Sequence, residues 1–201
     1  MAAQKYIDDW AKAQRRQIVP KANTWVIGPQ DAAVQIVVWS DYQEPLTVEL
    51  DRLIKQQIAS GRDIRYEYRQ YPFDRTCNSA VNQTLRPFGC MAARAAEAAG
   101  AIGGNEAYWK MHDWLLAHQV PLNDSLLREA AGAAGIDPAA FLAKMNEPAI
   151  AAIVSTDAQI GRPYIMQGIP TLYVNDRWVP RWKLNDEPIF ERIIQAAERG
   201  E

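Results

Sequence analysis

Residues Ala33-Val34-Gln35-Ile36-Val37-Val38-Trp39-Ser40-Asp41-Tyr42, followed by Gln43-Glu44-Pro45-Leu46-Thr47, hold a strand, a loop and a helix start within fifteen positions. Val34–Trp39 is β-branched and almost continuously apolar, as expected of a strand buried on both faces. Pro45 suits the first turn of a helix, where its missing N–H costs nothing. Leu46, Leu50, Leu53 and Ile54 then mark one helical face, and Gly61 ends it. A second strand follows at Ile64–Arg69, where Ile64, Tyr66 and Tyr68 alternate with charged residues. Strand, helix and strand make a βαβ unit, the crossover that parallel strands require.

Outward from this unit, the first 17 residues read as a helix carrying Tyr6, Ile7, Trp10, Ala13 and Gln14, ended by Pro20. A short extended piece, Thr24–Ile27, stops at Gly28-Pro29. Roughly 77–160 is rich in Ala, Met and Leu, lacks a convincing strand, and breaks into four or five short helices. The last forty residues return to α/β: Thr171–Val174 and Arg177–Val179 flank the turn pair Asn175-Asp176, and a final helix buries Ile189, Phe190, Ile193, Ile194 and Ala197. The expected organisation is an N-terminal helical extension (1–22), an α/β domain in two pieces (23–76 and 160–201), and an inserted helical subdomain (77–159).

The chain has 201 residues, 48% hydrophobic and 23% charged, which excludes a disordered chain, a coiled coil and a collagen-like repeat. A net charge of -2 provides no basic surplus for nucleic acid or acidic lipid. No apolar run reaches the roughly 18–20 residues of a membrane-spanning helix. The charged N-terminal segment is read as carrying no secretory signal in this form, so any membrane association is expected only through an anchor or fused domain.

Order and local strings together resemble the DsbA-like disulfide oxidoreductases, a thioredoxin-like α/β fold with a helical insertion. The stretch 33–42 is similar to the family's first core strand and the loop leading to its active site. Gly168-Ile169-Pro170-Thr171 resembles the loop whose proline, cis in the family, faces the active-site dithiol. Cys77-Asn78 and Cys90, which opens an Ala-rich helix, resemble an extra cysteine pair in some members, including bacterial domains linked to vitamin K epoxide reductase homologues.

The departure from the family lies at the helix start. Where the family places Cys-Pro-x-Cys, this chain reads Glu44-Pro45-Leu46-Thr47. A thiolate at a helix N-terminus is stabilised by the macrodipole and free N–H groups; Glu44 complements the same dipole but exchanges nothing, and Thr47 cannot resolve a mixed disulfide. The expected function is therefore a DsbA-like domain without dithiol catalysis, acting on a protein or peptide segment. The resemblance makes Ile169, Pro170 and Tyr42 its candidate contacts. Trp39, Tyr42, Trp178 and Trp182 are read either as an aromatic rim there or as core.

Cys77 and Cys90 are the only cysteines. The readings left open are a structural disulfide, two separate thiols, or a redox pair that makes the chain an oxidoreductase. A disulfide would favour an oxidising compartment, the cell envelope or outside. A kappa-like glutathione transferase or isomerase is a further alternative, with Thr47 or Ser40 supplying a hydroxyl. His112 and His118, six positions apart and so about 240° around a helix, form no zinc pattern with the cysteines. No metal or cofactor is expected. The arginines at 62, 65, 69 and 75 read as a solvated strand edge and turn, and oligomeric state is not specified by the sequence.

Overall fold

The computed structural model describes residues 2–21, 24–185 and 187–201. Its centre is a sheet of five strands in the order β1-β3-β2-β4-β5. Strands β2 (Val34–Ser40) and β3 (Ile64–Gln70) are parallel and joined by helix α2 (Pro45–Ala59), so the predicted βαβ unit is the core of the fold. β4 (Thr171–Val174) pairs antiparallel with β2 and with β5 (Arg177–Val179), while β1 (Val26–Ile27) lies antiparallel on β3. Asn175 and Asp176 both have positive φ (48° and 64°), the left-handed conformation that a two-residue hairpin turn needs and Asn or Asp tolerates.

Between β3 and β4 lie helices α3 (Gly89–Ala117), α4 (Asp124–Ala133), α5 (Pro138–Met145) and α6 (Pro148–Gly161). α3 is broken at Gly104, where φ 69° and ψ -159° leave the helical region, so these four helices make five α-helical pieces, followed by a 3-10 turn at Arg162–Tyr164. Pro at the first turn and side-chain caps from Asn123 and Asp137 start the shorter helices. α6 runs across the expected boundary at 159/160 and packs on β3, where Asp157 accepts a hydrogen bond from the Gln70 amide (2.7 Å). The expected boundary between 22 and 23 falls outside the described residues.

α1 spans Ala2–Lys12, shorter than the helix expected over the first 17 residues. Tertiary hydrogen bonds take the rest: the Arg16 amide donates to Asp176 O, Arg177 Nε to Ala13 O, and Tyr164 OH to Gln17 O. Helix α7 (Ile189–Glu198) closes the chain against α1 and the sheet.

The two sheet faces differ. Val34, Ile36, Val38, Ile64, Tyr66, Tyr68, Leu172 and Val174 join the large apolar core with most of the helices. The opposite face holds a smaller cluster built on Val37, Trp39 and Tyr173. It also carries Arg65, Glu67 and Arg69, all buried, which corrects the expectation of a solvated edge at 65 and 69; Arg62 is half-buried and Arg75 exposed. β3 lies inside the sheet, and its charges are neutralised in place: Glu67 pairs with Arg65 (2.9 Å) and Arg69 (2.5 Å), Arg69 approaches Asp157 (3.6 Å), and Lys21 pairs with Asp157 (3.4 Å) and Glu97 (2.6 Å). Three cations and three carboxylates make this buried network electrically neutral, the condition under which burial of charge is tolerated.

Candidate functional site

Parallel β2 and antiparallel β4 bring two loops to one end of the sheet, because Trp39 near the end of β2 stands opposite Thr171 at the start of β4. One loop is Asp41–Glu44, leading into α2; the other is Gly168–Pro170. The Ile169–Pro170 peptide bond is cis. Ile169 and Pro170 are half-buried, and Ile169 packs on the Trp39 cluster beside Phe73, Ala80 and Val81.

At the start of α2, Glu44 is the N-cap and its carboxylate accepts from the Leu46 amide at 3.4 Å. Its other oxygen pairs with Arg86 Nη2 at 2.7 Å. Pro45 and Leu46 are exposed. Thr47 is buried, its hydroxyl 2.5 Å from Ser40 Oγ, so the two hydroxyls considered for a glutathione site face each other inside the protein. Tyr42 is likewise not a surface contact. Its ring is buried against Tyr68 and His112, with its hydroxyl 3.0 Å from His112 Nδ1, because the β-strand end turns it into the large core. Trp39 is core as well, whereas Trp178 and Trp182 are both half-buried on different clusters; the four do not form a rim.

Cys77 and Cys90 form a disulfide with a Cα–Cα distance of 5.8 Å, closing a loop of sequence separation 13. Cys90 is buried and lies in the first turn of α3. The closed loop and its flanks make three links to the α2 entrance. Arg86 holds Glu44, the Phe88 amide donates to Gln43 Oε1 (2.8 Å), and the Phe73 amide donates to Asp41 Oδ2 (2.8 Å). Gln119, after α3, adds hydrogen bonds to the carbonyls of Tyr42 (2.7 Å) and Glu44 (3.1 Å).

Asp41 was not singled out by residue-type reasoning, although an Asp bonding the amide two residues on is a recognisable turn signature. Its Oδ1 accepts from the Gln43 amide at 2.8 Å. Burial pushes its carboxyl up to about 6, against the lowering effect of those two amide hydrogen bonds and of Arg86. Arg86 and Gln119 carry no signal in sequence that would pair them with residues some forty or more positions away.

His112 is buried between Tyr42 and Asp51, with Nε2 3.0 Å from Asp51 Oδ1. Burial lowers its pKa against the pull of Asp51, and the charges of His112 and Lys55 bring Asp51 down to about 2 despite its own burial. Asp51, His112 and Asp113 place possible metal-ligand atoms within 4.8 Å of one another. The ammonium of Lys55 already bridges the two carboxylates, so the cluster is an ion-pair network closed by a lysine. His118 stacks on Trp114 at 4.1 Å between ring centroids.

A family model described as "DSBA-like thioredoxin domain" matches residues 35–190. The chain belongs to the DSBA-like thioredoxin family. BdbD from Bacillus subtilis, in its oxidised form, is similar in structure to this DSBA-like domain: TM-score 0.72 at 21% identity, covering 94% of this chain and 98% of that one. The thiol-disulfide exchange protein alpha-DsbA2 from Wolbachia pipientis gives 0.70 at 21% identity, with 97% and 95% covered. Among curated proteins, Na(+)/H(+) antiporter NhaA 3 of Salinispora tropica is 30% identical over 152 residues, which is 76% of this chain. That stretch is only 22% of the antiporter's length. Among the described residues no helix is long and apolar enough to cross a membrane.

Proposed function

We propose that this domain binds a protein or peptide segment without exchanging disulfides, and that Cys77–Cys90 is a staple for the binding surface. One observation carries the reading. The helix start that would present a nucleophilic thiolate instead presents Glu44, committed to Arg86 and to the α2 cap. The only disulfide lies at the next helix start, with Cys90 buried. Exposed apolar side chains flank the residues that join here: Leu46 follows Glu44, Leu85 precedes Arg86, and Val120 follows Gln119. Such a patch suits an apolar segment laid across Ile169 and Pro170. A disulfide-stapled loop also favours work in the cell envelope or outside.

The test is turnover together with redox titration. The oxidised protein is expected not to accelerate insulin reduction, and its disulfide to titrate below about -300 mV, as structural disulfides do. Catalytic turnover, or a potential near the -180 to -230 mV of exchange proteins, would establish Cys77 and Cys90 as a redox centre instead. Saturable binding of glutathione at millimolar concentration would support the transferase alternative.

The likeness to antiporter chains favours a second, compatible reading, that the domain serves a membrane transport protein as an accessory module. Capture of an NhaA-type antiporter from detergent extract by the folded domain, lost on Leu46→Glu and Leu85→Glu substitution, is the expected result. Equal capture by the substituted domain would count against it.

A further inference from the structure

Asp41 stands at the junction of three elements around the proposed binding surface. Its Oδ1 accepts from Gln43 in the α2 entrance loop, and its Oδ2 accepts from Phe73 at the base of the stapled loop. The carboxylate also lies against Gly89, the first residue of α3, so closely that a Cβ there would overlap Oδ2. The positive end of α3 and two amide donors thus converge on one buried carboxylate. Few other charges face it. From the stapled loop come Arg86, which is attractive, and Asp74, which is repulsive. Glu44, on the entrance loop, is already paired with Arg86. From β3 comes the buried Tyr68, whose phenol is held neutral by burial and by neighbouring oxygens, Asp41 included.

We propose that Asp41 is an acid-sensitive clamp, and that protonating its carboxylate loosens the stapled loop from the entrance of α2. A carboxylate offers acceptors to both amides, whereas a carboxylic acid turns one oxygen into an O–H donor and leaves one amide poorly matched. The loop that loses its anchor carries Arg86, so the Glu44–Arg86 pair and the surface around Leu46 and Leu85 loosen with it. The consequence, acid-weakened partner binding, rests on the function proposed above; the clamp itself is measured without a partner. The burial that raises Asp41 towards pH 6 puts this change in a range that a mildly acidic compartment reaches.

The experiment is a 1H–15N titration of the oxidised full chain from pH 8 to pH 4.5. The Gln43 and Phe73 amides are expected to shift together with one midpoint near 6. Phe73 exchange protection is expected to fall about fivefold across that midpoint, the equivalent of one hydrogen bond. Asp41→Asn should hold both amides at their acid positions at every pH, while Glu44→Gln should leave the transition intact. Midpoints in the ordinary carboxylate range, amides that do not move, or a transition abolished by Glu44→Gln would each overturn the proposal. The wild-type titration decides even if Asp41→Asn folds poorly. Loss of peptide capture with an intact titration would remove the binding function and leave the clamp standing.

Discussion

Helices α2 and α3 begin side by side, joined by the Glu44–Arg86 pair and the Phe88–Gln43 hydrogen bond, yet they carry opposite chemistry. At α2 the positive helix end is occupied by a carboxylate; at α3 the first turn holds a sulfur locked in a disulfide. A helix N-terminus favours any anion, thiolate or carboxylate alike, so the field that activates a cysteine can equally cap a glutamate. At α2 the dipole holds a carboxylate, and at α3 the disulfide closes a loop.

The disulfide sets the larger energetic term. Replacing both Cys77 and Cys90 by Ala is expected to lower unfolding free energy by about 3 kcal/mol in urea titrations, the loop-closure value for a loop near fifteen residues. An unchanged midpoint would show that the stapled loop needs no staple. Gly89→Ala attacks the junction itself. Its Cβ would overlap the Asp41 carboxylate, and the forced shift is expected to cost about 2 kcal/mol, with broadened amide signals at Gln43 and Phe73.

The pH term is of similar size but accumulates over about two pH units. Asp41 in the folded protein holds its proton up to about pH 6, above the ordinary carboxylate value of 3.8, so the folded state binds protons more tightly than the unfolded chain between those limits. Its contribution to stability therefore rises as pH falls from about 6 towards 4. Urea midpoints of wild type relative to Asp41→Asn should move in that direction, by up to about 1.4 kcal/mol per pH unit. Global stability and the local clamp respond oppositely because their end states differ: unfolding returns the carboxyl to water and its ordinary pKa, whereas loosening the loop removes the two amide donors that lower its pKa while the carboxyl stays buried. Glu44→Ala is the mildest change. Loss of a cap and a partly exposed ion pair should cost about 1 kcal/mol, and an unchanged urea midpoint would contradict the assignment of Glu44 as cap of α2 and partner of Arg86.

Much of this molecule was legible in its sequence. The apolar β-branched run Val34–Trp39, the proline at 45 and the period of Leu46, Leu50, Leu53 and Ile54 specify strand, helix start and helix face through local stereochemistry and burial pattern. Ile64, Tyr66 and Tyr68 also mark an inward face correctly. Alternation, however, says only that the other face is polar, not that water covers it. Arg65, Glu67 and Arg69 are buried because Lys21, Glu97 and Asp157, brought from distant parts of the chain, complete a neutral network with them. The end of α1 departs from the sequence pattern for the same reason: hydrogen bonds to Asp176, Arg177 and Tyr164 compete with the helix after Lys12.

At the site, sequence alone determined that no thiol stands at 44 or 47 and that any disulfide must join Cys77 to Cys90. Only the tertiary structure decided that Tyr42 and Thr47 point inward, that Arg86 and Gln119 hold the entrance of α2, and that Asp41 joins three elements. Residue identity fixes which chemistry a side chain is capable of. Exposure and partnership depend on contacts between segments far apart in the chain, and local pattern carries no record of them.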